Sequence, residues 1–374
     1  MAQSIQQRVA ALPALARDLL AAAAIIGRRT TLHLLRTVGV QVGWSLAKIA
    51  TGLEAIRQAG LLVEEAENDA YHFAHDVIRE VVEAHLGMAR RTFWHLEVAQ
   101  ALEQVGGKVP VERLVYHYTR SAEPIKALPY LEQAANRAFA IHANIAAERA
   151  YRELVERLDD LGRPLDAAAA REQWGIVLSA LTWYEQALTT FEQACNVYRE
   201  DGDSEAQTRC LVHIGQVHAD RGTAQQGIQR LTPLLTLGET HGITPRTLAL
   251  LHDIYAQLLH IAGQYHKQLE EAERAVAYAR AAGDELLQCQ IEMRRGNALR
   301  MLGRMREASQ VLEDVIHTAE SVGELTILPY ALENVSVVYL LQGEFARAAR
   351  YIERALALAE QLGDPLIHGL LVLR

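Results

Sequence analysis

A glycine recurs about every forty residues through the second half of this chain, and few architectures produce that spacing. Gly162, Gly202, Gly242, Gly283, Gly323 and Gly363 are separated by 40, 40, 41, 40 and 40 residues. A second series, Thr182, Gly222, Gly263, Gly303 and Gly343, falls midway between them. A third places small residues, Gly175, Gly215, Ala256, Gly296 and Ser336, inside the first half of each unit. Between the turn positions lie two apolar-periodic segments of about 15 residues each. In the unit over 325–363, Leu332, Val335, Tyr339 and Leu340 recur at helical spacing, then Gly343, then Ala348, Ile352, Ala355 and Leu356. The spacing predicts paired helices. Glycine at the turns supplies the left-handed backbone that ends a helix, and the small residue lets the second helix approach the first. One such hairpin cannot bury its own apolar face, so the hairpins must stack into a solenoid.

This pattern resembles tetratricopeptide repeats, specifically the 40-residue variant of large bacterial signalling regulators of the maltose-regulon-activator type. Gly296, Gly303 and Ala308 match in one unit, and Ser336, Gly343 and Ala348 in the next. Gln268 stands where alanine is usual, and Thr182 replaces a turn glycine. The first 120 residues read differently. Pro13–Gly27 is a helix with Leu15, Leu19, Leu20, Ala23 and Ile26 on one side. Thr30 or Thr31 can cap a short helix ending near Gly39, and a third runs from about Ser45 to Ala59. Leu61–Glu64 and Tyr71–Ala74 read as two strands around a polar turn, followed by a helix over Val77–Leu86. Helices followed by a hairpin give the winged-helix order. The expected fold is therefore all-α, with an N-terminal winged-helix-like module (1–86), linking helical hairpins (87–160) and a right-handed tetratricopeptide-type α-solenoid (161–374) whose last repeat is incomplete.

The stretch LLVEEAENDAYHFAHDVIREVVEAHLGMARRTFWHLEVAQALE resembles the winged-helix exit of the signal-transduction ATPases with numerous domains. Arg90, Arg91 and His95, then Tyr116-His117-Tyr118 and Lys126–Ala135, match segments that follow in that family. The resemblance implies that a nucleotide-binding domain precedes the winged helix in complete members. It also implies that His75, next to Asp76, reaches the β-phosphate of bound ADP. The plainer reading is that Asp76 caps the following helix and His75 satisfies backbone groups. This chain has no GxxxxGK[ST] loop: Gly106-Gly107-Lys108 is followed by Val109, with Leu102 where the first loop glycine would fall. Nor is there an acidic Walker-B strand. The sequence reads as a regulator fragment lacking its ATPase, with no enzymatic activity and no cofactor of its own.

Other chemistries find little support. Fifteen histidines are present, but no HExxH and no spacing that gathers three ligands. Cys195, Cys210 and Cys289 form no CxxC pair, which points to a reducing compartment and inert thiols. The longest apolar runs, Leu19–Ile26 and Val335–Leu341, are too short to span a bilayer. With no targeting segment evident, a cytoplasmic protein is expected. The net charge is −9, and residues 1–86 carry eight basic against nine acidic side chains, which disfavours DNA. A DNA-binding regulator acting through the winged helix remains the alternative. The leading expectation is a binding scaffold, with a protein, peptide or small inducer in the solenoid groove and an ATPase domain as a further partner. The family's inward positions carry over to Arg209, Gln216, Asp253, Gln257, His260, Gln290, Asn297, Arg300 and Glu333 as candidate groove residues. Leu366, Ile367, Leu370 and Leu371 belong to a half-repeat, through which the chain is expected to self-associate.

Overall fold

The structure is a computed structural model and describes residues 2–65, 69–105, 109–237, 242–323, 325 and 327–362. Among these are nineteen α-helices and three short strands, arranged in two compact units, Met1–Leu161 and Gly162–Arg374. The half-repeat containing Leu366 and Ile367 lies outside the described residues, as does the Gly106-Gly107-Lys108 turn.

In the first unit the order is α1 (Ala2–Ala10), α2 (Ala14–Ile26), β1 (Arg29–Thr31), α3 (Leu32–Gln41), α4 (Leu46–Gln58), β2 (Leu62–Glu65), β3 (Ala70–Phe73), α5 (Asp76–Ala84), α6 (Met88–Val105), α7 (Val111–Tyr118), a 3-10 turn (Pro124–Ala127), α8 (Leu128–Ala140) and α9 (Asn144–Asp160). Helix α2 is its centre. Nine of its thirteen residues are buried, including Leu19, Leu20, Ala22 and Ala23, and it packs on α3, α4, α5 and α6. A helix buried on so many sides needs alanines to admit its neighbours closely. Capping sets the starts of α3 and α4: Thr31 Oγ1 accepts from the Leu34 amide at 3.2 Å, and Ser45 Oγ from that of Lys48 at 3.4 Å.

The sheet corrects one expectation. In place of a single hairpin there are three antiparallel strands in the order β1-β3-β2, with Arg29 opposite His72 and Leu62 opposite Phe73. The extra strand, Arg-Thr-Thr, is too short to show an alternating pattern. It exists because β3, paired only with β2, would otherwise leave backbone groups unbonded on its other edge.

A pair of histidines joins α6 to α7. His95 and His117 are 1% and 2% exposed, with their Nδ1 atoms 3.0 Å apart. At that separation one ring donates its Nδ1 proton to the other's lone pair, and the accepting ring is neutral. Burial, reinforced by Arg120 and Arg91, holds His95 down at about 4. Burial, the neighbouring His95, Arg113 and Arg120 hold His117 at about 3.

The second unit stacks five hairpins: α10 (Pro164–Ala180) with α11 (Tyr184–Asp201), α12 (Ser204–Asp220) with α13 (Ala224–Leu237), α14 (Pro245–Ile261) with α15 (Tyr265–Ala282), α16 (Glu285–Met301) with α17 (Met305–Val322), and α18 (Leu328–Leu341) with α19 (Phe345–Leu362). The glycines of the two turn series that fall on described residues all have φ between +64° and +83°. Thr182 adopts the same left-handed backbone at φ +60°. So does His142, forty residues earlier, in the turn between α8 and α9. Ala135 and Ala147 in that hairpin are completely buried and occupy the small and alanine registers. The forty-residue spacing therefore reaches one hairpin further upstream than its glycines disclose.

The small-residue series acts as expected. A Cβ on Gly175 would lie 2.5 Å from the Phe191 ring, and one on Gly296 2.8 Å from Leu312, both inside contact distance. The side chain of the second helix fills the space that the missing Cβ leaves in the first.

Two outcomes follow. Thr182→Gly removes a β-branched residue from a left-handed turn, and should raise stability by about 1 kcal/mol in urea denaturation. The histidine pair should make stability fall as pH drops. Both groups titrate lower in the folded chain than the unfolded value of about 6.5, so below that value only the unfolded state takes up the protons. Unfolding midpoints measured from pH 7.5 to 4.5 should decline, each histidine contributing at most about 1.4 kcal/mol per pH unit. The slope should be shallower in His95→Gln.

Candidate functional site

The first helices of successive hairpins form a row. Helix α10 touches α12, α12 touches α14, α14 touches α16, and α16 touches α18. One face of this row is polar, and the repeat spacing explains its order. Glu172, Val212, Asp253, Met293 and Glu333 share one register, so an acid appears at every second repeat. All three acids are buried, at 3%, 8% and 5% exposure. A buried carboxylate needs a counterion, and for two of them the structure supplies an arginine from the following first helix.

Glu172 on α10 accepts two hydrogen bonds from Arg209 on α12: Nε to Oε1 at 2.5 Å and the terminal nitrogen to Oε2 at 2.9 Å. Tyr198 donates to the same carboxylate at 3.4 Å, and His213 Nε2 lies 3.7 Å away, its ring stacked on Phe191. Burial pushes the Glu172 carboxyl up, but its bonds to His213 and Arg209 outweigh that and leave it below the usual range. Asp253 on α14 faces Arg294 on α16 at 2.8 Å. Here burial prevails over Arg294, and the carboxyl is raised.

The other candidates occupy the same row. Gln216 is exposed and donates to Asp220 at 2.7 Å on its own helix. Gln257 on α14 and Asn297 on α16 share Gln216's register one and two repeats on, and both have side-chain oxygens that are buried and meet no hydrogen-bond donor. His260 Nδ1 lies 3.1 Å from Oε1 of the buried Gln268, so the glutamine that replaces the usual alanine finds its partner on the facing helix. Gln290 is exposed, and Arg300 is half-buried one turn beyond Asn297. Arg300 and Glu333 border a cavity of about 590 Å³ whose remaining wall includes Val337, Leu340, Phe345 and Ile352.

Glu172, His213 and Arg294 escaped the sequence reading. For Glu172 the signal existed: it stands 81 residues before Asp253, which is itself 80 before Glu333. For Arg294 none existed, because the arginine is one position off the acidic register and only the stacking of α14 on α16 brings it to Asp253.

His75 and Asp76 lie in the first unit, at the exit of β3. His75 precedes α5 with an extended backbone (φ −148°, ψ 142°), and its side chain makes no capping bond. Asp76 is the first residue of α5 and does not cap it. Its carboxylate pairs with Arg28 Nε at 2.9 Å. Both motif residues are exposed. The three cysteines are free and buried, and burial raises each thiol pKa. Among the described residues no three His, Cys, Asp or Glu side chains converge on a metal-sized site, and no helix is long and apolar enough to cross a membrane.

Replacing Arg294 by methionine should destabilise the chain by about 3 kcal/mol at pH 7, because it leaves a buried carboxylate without a counterion. The cost should shrink as pH falls and Asp253 protonates, and Asp253→Asn should rescue it. Denaturant titrations of the two single variants and the double variant at pH 7 and 5 would test both points.

No protein-family model matches the chain, and neither does any curated protein. Among solved structures, aspartyl phosphate phosphatase F from Bacillus subtilis is similar at 14% identity and TM-score 0.50, over 86% of this chain and 82% of its own. BtubC from P. vanneervenii is similar at 13% identity and TM-score 0.51, over 63% of this chain and 92% of its own. A signal-transduction ATPase with a tetratricopeptide repeat sensor from Pyrococcus horikoshii aligns over 96% of this chain at 14% identity and TM-score 0.40. The chain spans 59% of that protein's length. Similarity at these identities concerns the fold: an all-α chain built on a tetratricopeptide-like solenoid.

Proposed function

We propose that this chain is a non-catalytic binding scaffold, the sensor portion of a signal-transduction ATPase or transcriptional regulator of the bacterial cytoplasm. The observation that carries the reading is the polar register on the first helices. Solenoid hairpins need only apolar residues between helices, yet here acids recur at one register of the first helices and carboxamides at another; the three acids are buried, and so are the side-chain oxygens of Gln257 and Asn297. Burying such groups costs stability, so a row of them is explained best by a partner that they recognise. The ligand class is a protein, peptide or small inducer. A nucleotide-binding domain is the second partner. His75, exposed at the start of α5, is available to contact a phosphate held by such a domain, while Asp76 pairs with Arg28 beside it.

Two experiments bear on this. Cross-linking with residue-level mapping should place ligand contacts on α10, α12, α14, α16 and α18. Contacts confined to the second helices would reject the groove. The chain alone should neither hydrolyse ATP nor bind ADP tightly, since nothing in it resembles a phosphate loop. In complex with a nucleotide domain, His75→Ala should weaken ADP retention without changing the melting temperature of the isolated chain.

A further inference from the structure

In the first unit, α1 lies against α5, and α2 packs on α5 and α6. Residues of these four helices enclose a cavity of about 380 Å³. Its wall includes Ala21, Val82 and Leu86, all buried, together with Val9 and Val81. Ala10 and Ala21 account for the space. Interiors otherwise fill to close packing, and two alanines leave open what longer side chains would occupy. One side of the cavity is fastened. His85 Nδ1 lies 2.6 Å from the Val81 carbonyl oxygen and donates to it, which leaves Nε2 to accept from the Gln6 amide. That second bond holds α1 to the C-terminal end of α5 and gives the cavity a fixed rim.

The remaining polar lining is two arginines, Arg17 on α2 and Arg90 on α6, and no acid lines the cavity. Arg90 is tied to Asp18, but a guanidinium has five N–H donors and this pair leaves some of them available. Arg17 is exposed, and among the described residues its guanidinium has neither a hydrogen bond nor an ion pair. Other arginines of this unit differ: Arg28, Arg29, Arg57 and Arg79 each hold a carboxylate. An unpaired arginine on open surface is ordinary. At the mouth of a hollow with apolar walls its field is focused rather than dispersed in water.

We propose that this cavity binds a small monocarboxylate with an apolar body, its carboxylate on Arg17 with Arg90 beside it and its hydrocarbon against Ala21, Val82 and Leu86. The planar fork of an arginine matches a carboxylate with two parallel hydrogen bonds. The volume is at the small end of the range for small-molecule sites, about 300–1,000 Å³. An inorganic anion would satisfy Arg17 but leave the apolar wall wet, and a neutral hydrocarbon would do the reverse. The cavity adjoins the C-terminal end of α5, the opposite end from His75 and Asp76, and all its lining residues belong to the first unit. It is therefore separate from both the phosphate contact and the solenoid groove, and the proposal does not depend on either.

The test is calorimetric titration of the full chain with octanoate and with 3-phenylpropionate, beside octanamide, acetate and inorganic phosphate. At least one of the two apolar carboxylates should bind at a single site. Octanamide, which keeps the body and loses the charge, should bind about tenfold more weakly or worse, as should acetate, which keeps the charge and loses the body. Arg17→Gln should weaken the carboxylate by about tenfold or more, the loss of one charge-assisted pair. Ala10→Trp, at an exposed position on the cavity wall, should block it by filling the space. Arg36→Gln, an exposed arginine on α3 outside the cavity, should leave binding unchanged. Circular dichroism melts would confirm that each variant folds. Equal binding of octanoate and octanamide, or of octanoate by the parent chain and Arg17→Gln, overturns the carboxylate contact. Phosphate binding as tightly as the organic acids overturns the ligand class. Binding that survives Ala10→Trp, or no binding of either acid at millimolar concentration, overturns the site.

Discussion

Everything in the repeat unit depends on how closely two helices of a hairpin can approach. The space that a Cβ on Gly175 would occupy is already taken by Phe191, and that of Gly296 by Leu312. Interiors are packed so densely that one methyl group changes the fit, so the small register dictates the distance between the paired helices. That distance determines how the next hairpin can stack, and hence that the first helices form a continuous row. The left-handed turns serve the same end: within each hairpin of the second unit only three residues separate the first helix from the second. Where glycine is missing, at Thr182 and His142, the turn keeps its geometry and the residue bears the strain.

Once the row exists, the spacing turns a one-dimensional pattern into a surface. Acids at every second repeat are too far apart to repel one another strongly. The Glu172–Arg209 and Asp253–Arg294 pairs each bind a first helix to the next, so they serve packing as well as polarity. The two are not equivalent. Glu172 gathers several donors and stays ionised, whereas Asp253, with a single cation, is pushed towards its neutral form. A solenoid can vary its groove in this way without disturbing its core.

The first unit follows a different logic. Its core is organised around one alanine-rich helix rather than a repeated contact, and its polar elements are held individually by Thr31, Ser45 and the buried His95–His117 pair. Three arginines depress the histidine pair from around it, so neutrality there is a condition of packing. The motif at His75 and Asp76 is the opposite case, with two polar side chains left on the surface where a helix begins.

The sequence alone determined the class of fold, the hairpin boundaries from Gly162 onward, and a cap for α3 at Thr30 or Thr31. All of these follow from short-range rules: helical spacing, left-handed glycine and side chains that bond their own backbone. Tertiary structure decided what depends on two segments meeting. It added β1 to the sheet, because β3 had a second edge to satisfy. It disclosed the hairpin of α8 and α9, because His142 and Ala135 stand where glycines would have revealed the repeat. It gave Asp253 its counterion, because Arg294 is off register in sequence and adjacent only after α14 and α16 stack.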